Sequence, residues 1–415
     1  MNLYRPWSLR DLVKDLATGA TTPTAALDRA RSRTAETEPE LAAWVVHEPA
    51  PDITTAMGVL GGVPLGVKDI IDVAGLPTRC GSALREGVRG ATADAPIVRA
   101  WRRAGAVILG KTVTTEFAFF APGPTGNPAA PGHTPGGSSS GSAAAVASGQ
   151  VPLAIGSQTA GSVTRPAAYC GVASLVMTHG SYPVDGIVGL SPSLDSHGVY
   201  AATAADLAVA WAALSGGRPA PRPPRPPRVL LWTADPIGVL DDEMCQALET
   251  LEKRLTEAGA VVDVFPEERL IAEVTAAHPV VMAYEAARER SAELAVADRL
   301  SEPLARLLRT GAAISDTDYD TARRTAAQAR TRVTALLSSY DAIVGPAAPG
   351  AAPAGLAATG DPVLSRAWQA LGLPSVTVPG LRDPAGLPLG IQAIGPAHGE
   401  AELLARSAWI ETTLS

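Results

Sequence analysis

Residues 134–171 read TPGGSSSGSAAAVASGQVPLAIGSQTAGSVTRPAAYCG, and they are the most informative stretch of this 415-residue chain. A Gly/Ser loop leads directly into a helix-forming segment, then a strand-forming segment and a second Gly/Ser turn. A flexible linker has a similar composition. The repetition of loop, helix, strand and turn within one short unit instead predicts part of an α/β sheet.

A Lys-Asp pair lies upstream, inside an otherwise apolar run. Residues 63–73 read VPLGVKDIIDV and are closed by Gly75 and Pro77, a pattern that predicts a buried strand. Successive side chains of a strand point to opposite faces, so Lys68 is not expected to pair with Asp69. Asp69 is interpreted as a support residue that hydrogen-bonds to loop backbone.

The rest of the chain is also predicted to contain both helices and strands. Asp94 is predicted to cap a helix that has Pro96 in its first turn and ends at Gly105, and AVIL then forms a buried strand. Residues 8–17 and 22–34 are predicted helices, 218–228 has linker composition, and 241–340 is mainly helical. Strands return in the tail before a final helix.

Two catalytic motifs match by pattern but fail on context. GAVILGKT, residues 105–112, fits a P-loop, yet its middle residues form the predicted strand and not a phosphate-binding loop. GSSSG, residues 137–141, fits a nucleophile elbow centred on Ser139, but a long irregular loop precedes it where the elbow needs a core strand. His278 and His398 lie downstream without a setting that marks either as the base.

The sequences GVPLGVKDIIDVAGLPT, TPGGSSSGSAAAVASGQVPLAIGSQTAGSVTRPAAYCG and SPSLDSHG, in that order, closely resemble the amidase signature family. The resemblance extends to GKTVTTEFAF upstream and to YDAIVGPAAP, TGDPVLSRAWQALGLPSVTVPG and GLPLGIQAIGP downstream, and so covers nearly the whole chain. It implies an α/β fold with a large mixed β-sheet flanked by helices on both faces. It also implies one domain over 1–415, with a catalytic core over 63–215, a pocket-shaping helical part over 229–335 and returning strands over 340–415.

The resemblance also implies the site residues. The catalytic lysine matches Lys68, the bridging serine after a cis peptide bond matches Ser138, and the nucleophile matches Ser162. The oxyanion hole is formed by backbone N–H groups at Thr159, Ala160, Gly161 and Ser162, while Gly137 leaves room for the cis bond and Ser139 supports the network.

The residue types suit this chemistry without the family name. A serine hydroxyl is a weak nucleophile and needs an adjacent base. Lys68 is the candidate, because burial can bring its pKa from about 10.4 towards about 7–8. A relay through the Ser138 hydroxyl would fix the proton path of this long, flexible side chain.

One residue departs from the family pattern. The family usually has Gly-Gly-Ser at the nucleophile turn, and this chain has Ala160-Gly161-Ser162. Alanine keeps the N–H donor, so an oxyanion hole remains available. Backbone strain is expected at Ala160 if that position requires a positive φ.

The substrate is left open by the sequence. Arg165 follows Ser162 by three residues in a stretch that resembles the malonamidase-like branch, whose arginine binds a substrate carboxylate, so a small carboxylate-bearing amide is one hypothesis. A structural ion pair at Arg165 is the alternative. Aryl amides, ureas, carbamates (urethanes) and esters share the same chemistry, and membership of a multi-subunit, tRNA-dependent amidotransferase is a further candidate.

Composition excludes several other classes. The net charge of −7 and the scarcity of aromatic residues argue against a nucleic-acid partner. Three scattered cysteines and six dispersed histidines give no disulfide framework or metal motif, so no metal and no cofactor are expected. No signal peptide or apolar span is evident, so we expect a cytoplasmic location without membrane contact. A homodimer remains an open alternative.

Overall fold

The computed structural model describes residues 2–54 and 56–414, and its centre is one mixed sheet of eleven strands. The strands in chain order are β1 (Trp44–His47), β2 (Pro64–Lys68), β3 (Val107–Thr112), β4 (Leu153–Gln158), β5 (Ala173–Val176), β6 (Ser196–Ala201), β7 (Arg228–Leu231), β8 (Val261–Val264), β9 (Ala342–Pro346), β10 (Ser375–Arg382) and β11 (Pro388–Ile394). Across the sheet their order is β1-β3-β2-β4-β6-β5-β10-β11-β9-β7-β8.

Thirteen α-helices lie within the described ranges. They are α1 (Leu9–Thr18), α2 (Pro23–Leu41), α3 (Pro96–Arg103), α4 (Ser140–Ala147), α5 (Thr164–Cys170), α6 (Ala204–Ser215), α7 (Asp242–Glu257), α8 (Glu268–Glu289), α9 (Ser291–Leu294), α10 (Glu302–Ala313), α11 (Asp316–Leu337), α12 (Val363–Ala370) and α13 (Glu400–Leu414). Helices α4 and α5 pack together against the middle strands, as do α6 and α13. The predicted fold class, a large mixed sheet with flanking helices, is confirmed.

The strand order places the two Gly/Ser segments beside Lys68. Strand β2 pairs in parallel with both β3 and β4, so the carboxyl ends of all three strands meet at one edge of the sheet. Loop 134–139 leads into α4, and turn 159–163 follows β4 into α5. Loops at the carboxyl ends of parallel strands are where α/β proteins place their ligands.

Three local predictions were wrong in extent or detail. The strand predicted over 63–73 ends at Lys68, because the N–H groups of Ile70 and Ile71 donate to the Lys68 carbonyl and turn the chain. Asp94 does not cap α3; its carboxylate accepts from the Ala74 N–H and pairs with Arg102. The helix predicted over 22–34 continues to Leu41.

The region predicted to be helical contains α7 to α11, and two of its helices are in very close contact. A Cβ placed on Gly311 of α10 would lie 1.8 Å from the Ala283 carbonyl oxygen of α8. The absence of a side chain at Gly311 therefore allows the two helix backbones to approach this closely. In the described part of the chain, no helix combines the length and apolar character needed to cross a bilayer.

Candidate active site

Lys68 is the last residue of β2, and its side chain is completely buried. Its Nζ donates to the Ser138 hydroxyl at 2.7 Å, and to the hydroxyl and carbonyl of Ser157 at 2.9 and 3.3 Å. Burial lowers the pKa of Lys68 to about 7, and the nearby negative charge of Asp195 acts against this decrease. A large fraction of Lys68 is therefore an uncharged amine at neutral pH.

The loop before α4 presents Ser138 to this amine. The Gly137–Ser138 peptide bond is cis, as the resemblance implied, and the Ser138 carbonyl accepts from the Thr115 N–H at 3.3 Å. A Cβ on Gly137 would lie 2.8 Å from the Thr359 side chain. Glycine is therefore required at 137 by the close approach of the 359 loop.

The turn that carries Ser162 is fixed by side chains from its own strand and from β6. The Gln158 side-chain oxygen accepts from the N–H groups of Val163 and Thr164, at 2.9 and 3.0 Å. The Ser162 carbonyl accepts from the Ser139 N–H at 3.3 Å and from the Tyr200 hydroxyl at 3.2 Å. These contacts tie the Ser162 turn to the Ser138 loop.

The backbone N–H groups of residues 159–162 are available to a ligand. Within the described ranges, none of the four donates a hydrogen bond to protein. Ala160 is absent from the residues with positive φ, so it adopts its conformation without the strain that a left-handed alanine would carry. The substitution of alanine for the usual glycine therefore leaves the backbone donors in place.

Thr159 is held from two sides. Its hydroxyl donates to Asp195 at 2.5 Å, and its carbonyl accepts from His278 Nε2 of α8 at 2.8 Å. Burial lowers the pKa of His278 to about 4, so the ring is neutral near pH 7 and must carry its proton on Nε2 to make this bond. Residues far apart in sequence thus position the start of the turn.

Asp69 turns away from Lys68 and forms a buried ion pair. Its carboxylate lies 3.0 Å from Lys111 Nζ and accepts from the Arg79 N–H at 3.1 Å. Lys111 lies in β3, not in a phosphate-binding loop, and also donates to Thr78 Oγ1 at 3.0 Å. Burial raises the pKa of Asp69 and lowers the pKa of Lys111, and the attraction between their charges acts in the opposite sense.

Replacing Lys111 with methionine is expected to lower the free energy of unfolding by about 3–5 kcal/mol, because Asp69 would be left buried without its counter-charge. Urea denaturation of Lys111→Met, Asp69→Asn and the double variant would measure this. The double variant should lose much less than the sum of the single losses. Additive losses would show that the two side chains are not coupled.

Arg165 is buried beside Ser162. Its Nη2 donates to the Gly137 carbonyl at 2.6 Å and to Thr359 Oγ1 at 3.3 Å, while Nε and Nη1 have no protein partner. No carboxylate of the described chain forms an ion pair with it, so the structural ion pair considered above is not present. Burial lowers the pKa of Arg165 to about 10, and the side chain remains charged at neutral pH.

These groups surround a narrow cavity. Ser138, Ser162, Arg165 and the 159–161 backbone line it, together with Phe119, Phe120, Met282 and Pro362 among others. The cavity thus brings together the lysine-linked serine, the second serine and the free backbone donors. Ser139 lies behind it and hydrogen-bonds to the Ser157 carbonyl at 3.3 Å.

Three residues of this site were missed by the sequence analysis: Ser157, Asp195 and His278. Ser157 reaches Lys68 only because β4 pairs with β2, and sequence alone does not give that pairing. Asp195 stands in the SPSLDSHG motif, and its carboxylate caps the Leu190 and Ser191 N–H groups. His278 carries no local signal, because its partner is 119 residues away.

Comparisons with known proteins match one family and one fold over most of the chain. A family model described as Amidase matches residues 39–404. The 2-amino-5-chloromuconic acid deaminase of Comamonas testosteroni is 32% identical over 86% of this chain and 83% of its own length. One subunit of the glutamyl-tRNA(Gln) amidotransferase from Shouchella clausii is 34% identical over 83% of this chain and 82% of its own length. A solved amidase structure superposes with a TM-score of 0.87 at 27% identity, covering 99% of this chain and 100% of the other.

Proposed function

This chain belongs to the amidase family, whose members hydrolyse C–N bonds, and on that premise we propose that it cleaves an amide through a covalent acyl-enzyme on Ser162. The observation that carries this proposal is the 2.7 Å hydrogen-bond distance between the buried amine of Lys68 and the Ser138 hydroxyl, at a cavity that Ser162 also lines. A lysine with a lowered pKa is a suitable general base for a serine hydroxyl.

In the first step the Ser162 oxygen attacks the substrate carbonyl carbon. Its proton passes to the Ser138 oxygen while the Ser138 proton passes to Lys68 Nζ, so the relay leaves Ser138 neutral and Lys68 charged. The negative charge that forms on the carbonyl oxygen is stabilised by the backbone N–H groups of residues 159–162. The C–N bond then breaks, and the proton returns through Ser138 to the leaving nitrogen.

In the second step water attacks the acyl-enzyme. The water loses a proton through Ser138 to Lys68. When the ester C–O bond breaks, that proton returns through Ser138 to the Ser162 oxygen, which restores the hydroxyl and releases the acid. The same groups serve both half-reactions. In each one Lys68 first accepts a proton as a base and then returns it as an acid.

The contacts of Thr159 support the oxyanion hole. Asp195 and neutral His278 hold this residue before the reaction, so its N–H does not need to reorient as charge develops. We further propose one domain over the whole chain, with the helical part shaping the pocket, as Met282 of α8 does in the cavity.

The experiment that tests the reaction class is an assay of carboxylate-bearing amides, aryl amides, ureas, carbamates and esters with the wild-type protein. Release of acid and amine from at least one amide supports the proposal. If amides are inert and another class of carbonyl compound turns over, the chemistry stands but the assigned bond is wrong. Turnover only with added partner proteins would favour a role within a multi-subunit amidotransferase, the assembly named for one of the relatives above.

We propose that Arg165 favours substrates with a carboxylate close to the scissile bond, because two of its nitrogen atoms, Nε and Nη1, have no hydrogen-bond partner in the described chain and the residue lines the cavity beside Ser162. Replacing Arg165 with alanine should raise KM for such acidic amides by about tenfold or more relative to matched neutral amides, the scale of a hydrogen bond to a charged group. Equal effects on the acidic and neutral amides would contradict carboxylate binding by Arg165. Its role would then be structural, through its contact with the Gly137 carbonyl.

A further inference from the structure

A second, wider groove opens next to the catalytic cavity. Its walls come from the 119–122 loop, α8, α10, the 357–361 loop and the start of α12. The mechanism above uses none of its charged side chains. The groove is therefore a separate feature whose role follows from its position and its lining.

The groove borders the catalytic cavity. Phe119 and Phe120 line both spaces, and their rings contact each other edge to face with centroids 4.9 Å apart. Asp361 lines the groove while the next residue, Pro362, lines the cavity. Thr359 lines the groove and accepts a hydrogen bond from Arg165 of the cavity.

The loop that separates the two spaces has an unusual backbone. Phe117, Ala118 and Phe120 adopt φ values of 44°, 62° and 40°, in the left-handed region that non-glycine residues seldom occupy. Such conformations persist only where the surroundings fix them, and they concentrate at functional sites. Phe119 and Phe120, which line both the cavity and the groove, belong to this loop.

Helices α8 and α10 each contribute apolar residues, one helical turn apart, to the wall of the groove. Pro279 and Ala283 lie one turn apart on α8, and Pro303 and Leu307 lie one turn apart on α10. The same face of α10 carries Arg306 between the two apolar residues. An alkyl or aryl group that enters from the cavity would therefore meet a continuous apolar surface.

The charge in the groove is predominantly positive. Arg306 and Arg366 face a single carboxylate there, Asp361, which is 53% exposed and lies 3.5 Å from Arg366. Arg366 Nε is buried and has no hydrogen-bond partner in the described chain. Two guanidinium groups and one carboxylate leave a net positive charge beside the apolar wall, and a ligand carboxylate can balance that charge.

We propose that this groove binds an apolar arm of the substrate and that Arg366, assisted by Arg306, binds an acidic group on that arm. The inference rests on the proposed function and adds a substrate class to it. The preferred substrates are amides that carry an alkyl or aryl arm with a carboxylate. This site differs from the one proposed at Arg165, which recognises a carboxylate next to the scissile bond.

The test uses matched pairs of amides whose arms end either in a carboxylate or in its methyl ester, with short and long arms on the carbonyl side and on the nitrogen side. The wild-type protein should show a kcat/KM for the best long acidic amide at least about tenfold above that of its ester, the usual scale for a hydrogen-bonded charge. Arg366→Gln should abolish most of this preference. Arg309→Gln is the matched control, since Arg309 lies on α10, outside the groove lining, and pairs with Asp298.

Each outcome bears on a separate claim. Loss of the acid preference in Arg366→Gln but not in Arg309→Gln supports the groove site. Equal kcat/KM values for acid and ester in the wild-type protein, or a preference that Arg366→Gln leaves intact, would overturn it while amide hydrolysis itself stands. Failure to hydrolyse any amide in either series, together with no covalent labelling of Ser162, would instead overturn the proposed function.

Discussion

Replacement of Lys68 with alanine is expected to lower kcat by about three to five orders of magnitude, because the variant loses the base on which the serine relay depends. Steady-state assays on the best amide substrate would measure the loss. Lys253→Ala is a suitable control, because Lys253 is a solvent-exposed lysine on α7 with a side chain 76% exposed. A loss below about tenfold in Lys68→Ala would rule out this residue as the general base.

The pH dependence follows from the same residue. Burial lowers the pKa of Lys68 to about 7, so the uncharged, active amine predominates above that pH and the charged form predominates below it. The wild-type kcat/KM should therefore decrease as the pH falls through about 7, approaching tenfold per pH unit in acid. Burial keeps His278 neutral down to its pKa of about 4, so this ring does not account for a decrease near neutrality. A flat profile between neutral pH and pH 5 would contradict a lysine base.

Replacement of Ser162 with alanine should have the larger effect, since it removes the atom that forms the covalent bond. We expect kcat to decrease by about four to six orders of magnitude, with residual activity from the oxyanion donors alone. Ser139→Ala offers a direct comparison, because Ser139 is the centre of the rejected elbow motif and contacts Ser157 behind the cavity. Ser139→Ala should lose far less activity than Ser162→Ala.

The two variants should not be additive. Lys68 and Ser162 act in one proton-transfer sequence, so the double variant should lose little more than Ser162→Ala alone. A double variant whose loss equals the product of the two single losses would indicate that Lys68 and Ser162 contribute to separate steps. Circular dichroism on each variant would establish that the fold is retained.

Sequence reasoning predicted the parts of the site that depend on local pattern. Strand alternation correctly predicted that Lys68 and Asp69 do not pair with each other. Asp69 instead pairs with Lys111 of the neighbouring strand β3. The context of residues 105–112 correctly excluded a P-loop, since Lys111 is a buried strand residue. The first Gly/Ser loop, helix α4, strand β4 and the second Gly/Ser turn were likewise confirmed in order and type, whereas helix α5 after that turn was not predicted.

The features that sequence reasoning missed depend on contacts between distant segments. Ser157 meets Lys68 through strand pairing, and His278 meets Thr159 through the packing of α8 near the turn. The length of β2 was overestimated because apolar residues continue past Lys68, although the backbone turns there. Aspartate is a common helix cap, but the Asp94 carboxylate instead accepts a hydrogen bond from the Ala74 N–H and forms an ion pair with Arg102.

The two open questions about the turn had different outcomes. Backbone strain was expected at Ala160 only if its φ were positive. Its φ is not positive, so alanine in place of the usual glycine causes no backbone strain. Arg165 has no carboxylate partner in the described chain, and its contact with the Gly137 carbonyl links it to the Ser138 loop. The sequence could suggest an arginine near Ser162 but could not show which of its N–H groups remain free.

The most direct test of the central claim is to label the protein with a fluorophosphonate, digest it and locate the adduct by mass spectrometry. We predict a single adduct on Ser162, formed more slowly below pH 7 and absent from Ser162→Ala. An adduct on Ser138 or Ser139 in a protein that hydrolyses amides would contradict the assignment of the nucleophile. Full amidase activity in the Ser162→Ala variant would contradict the covalent mechanism itself.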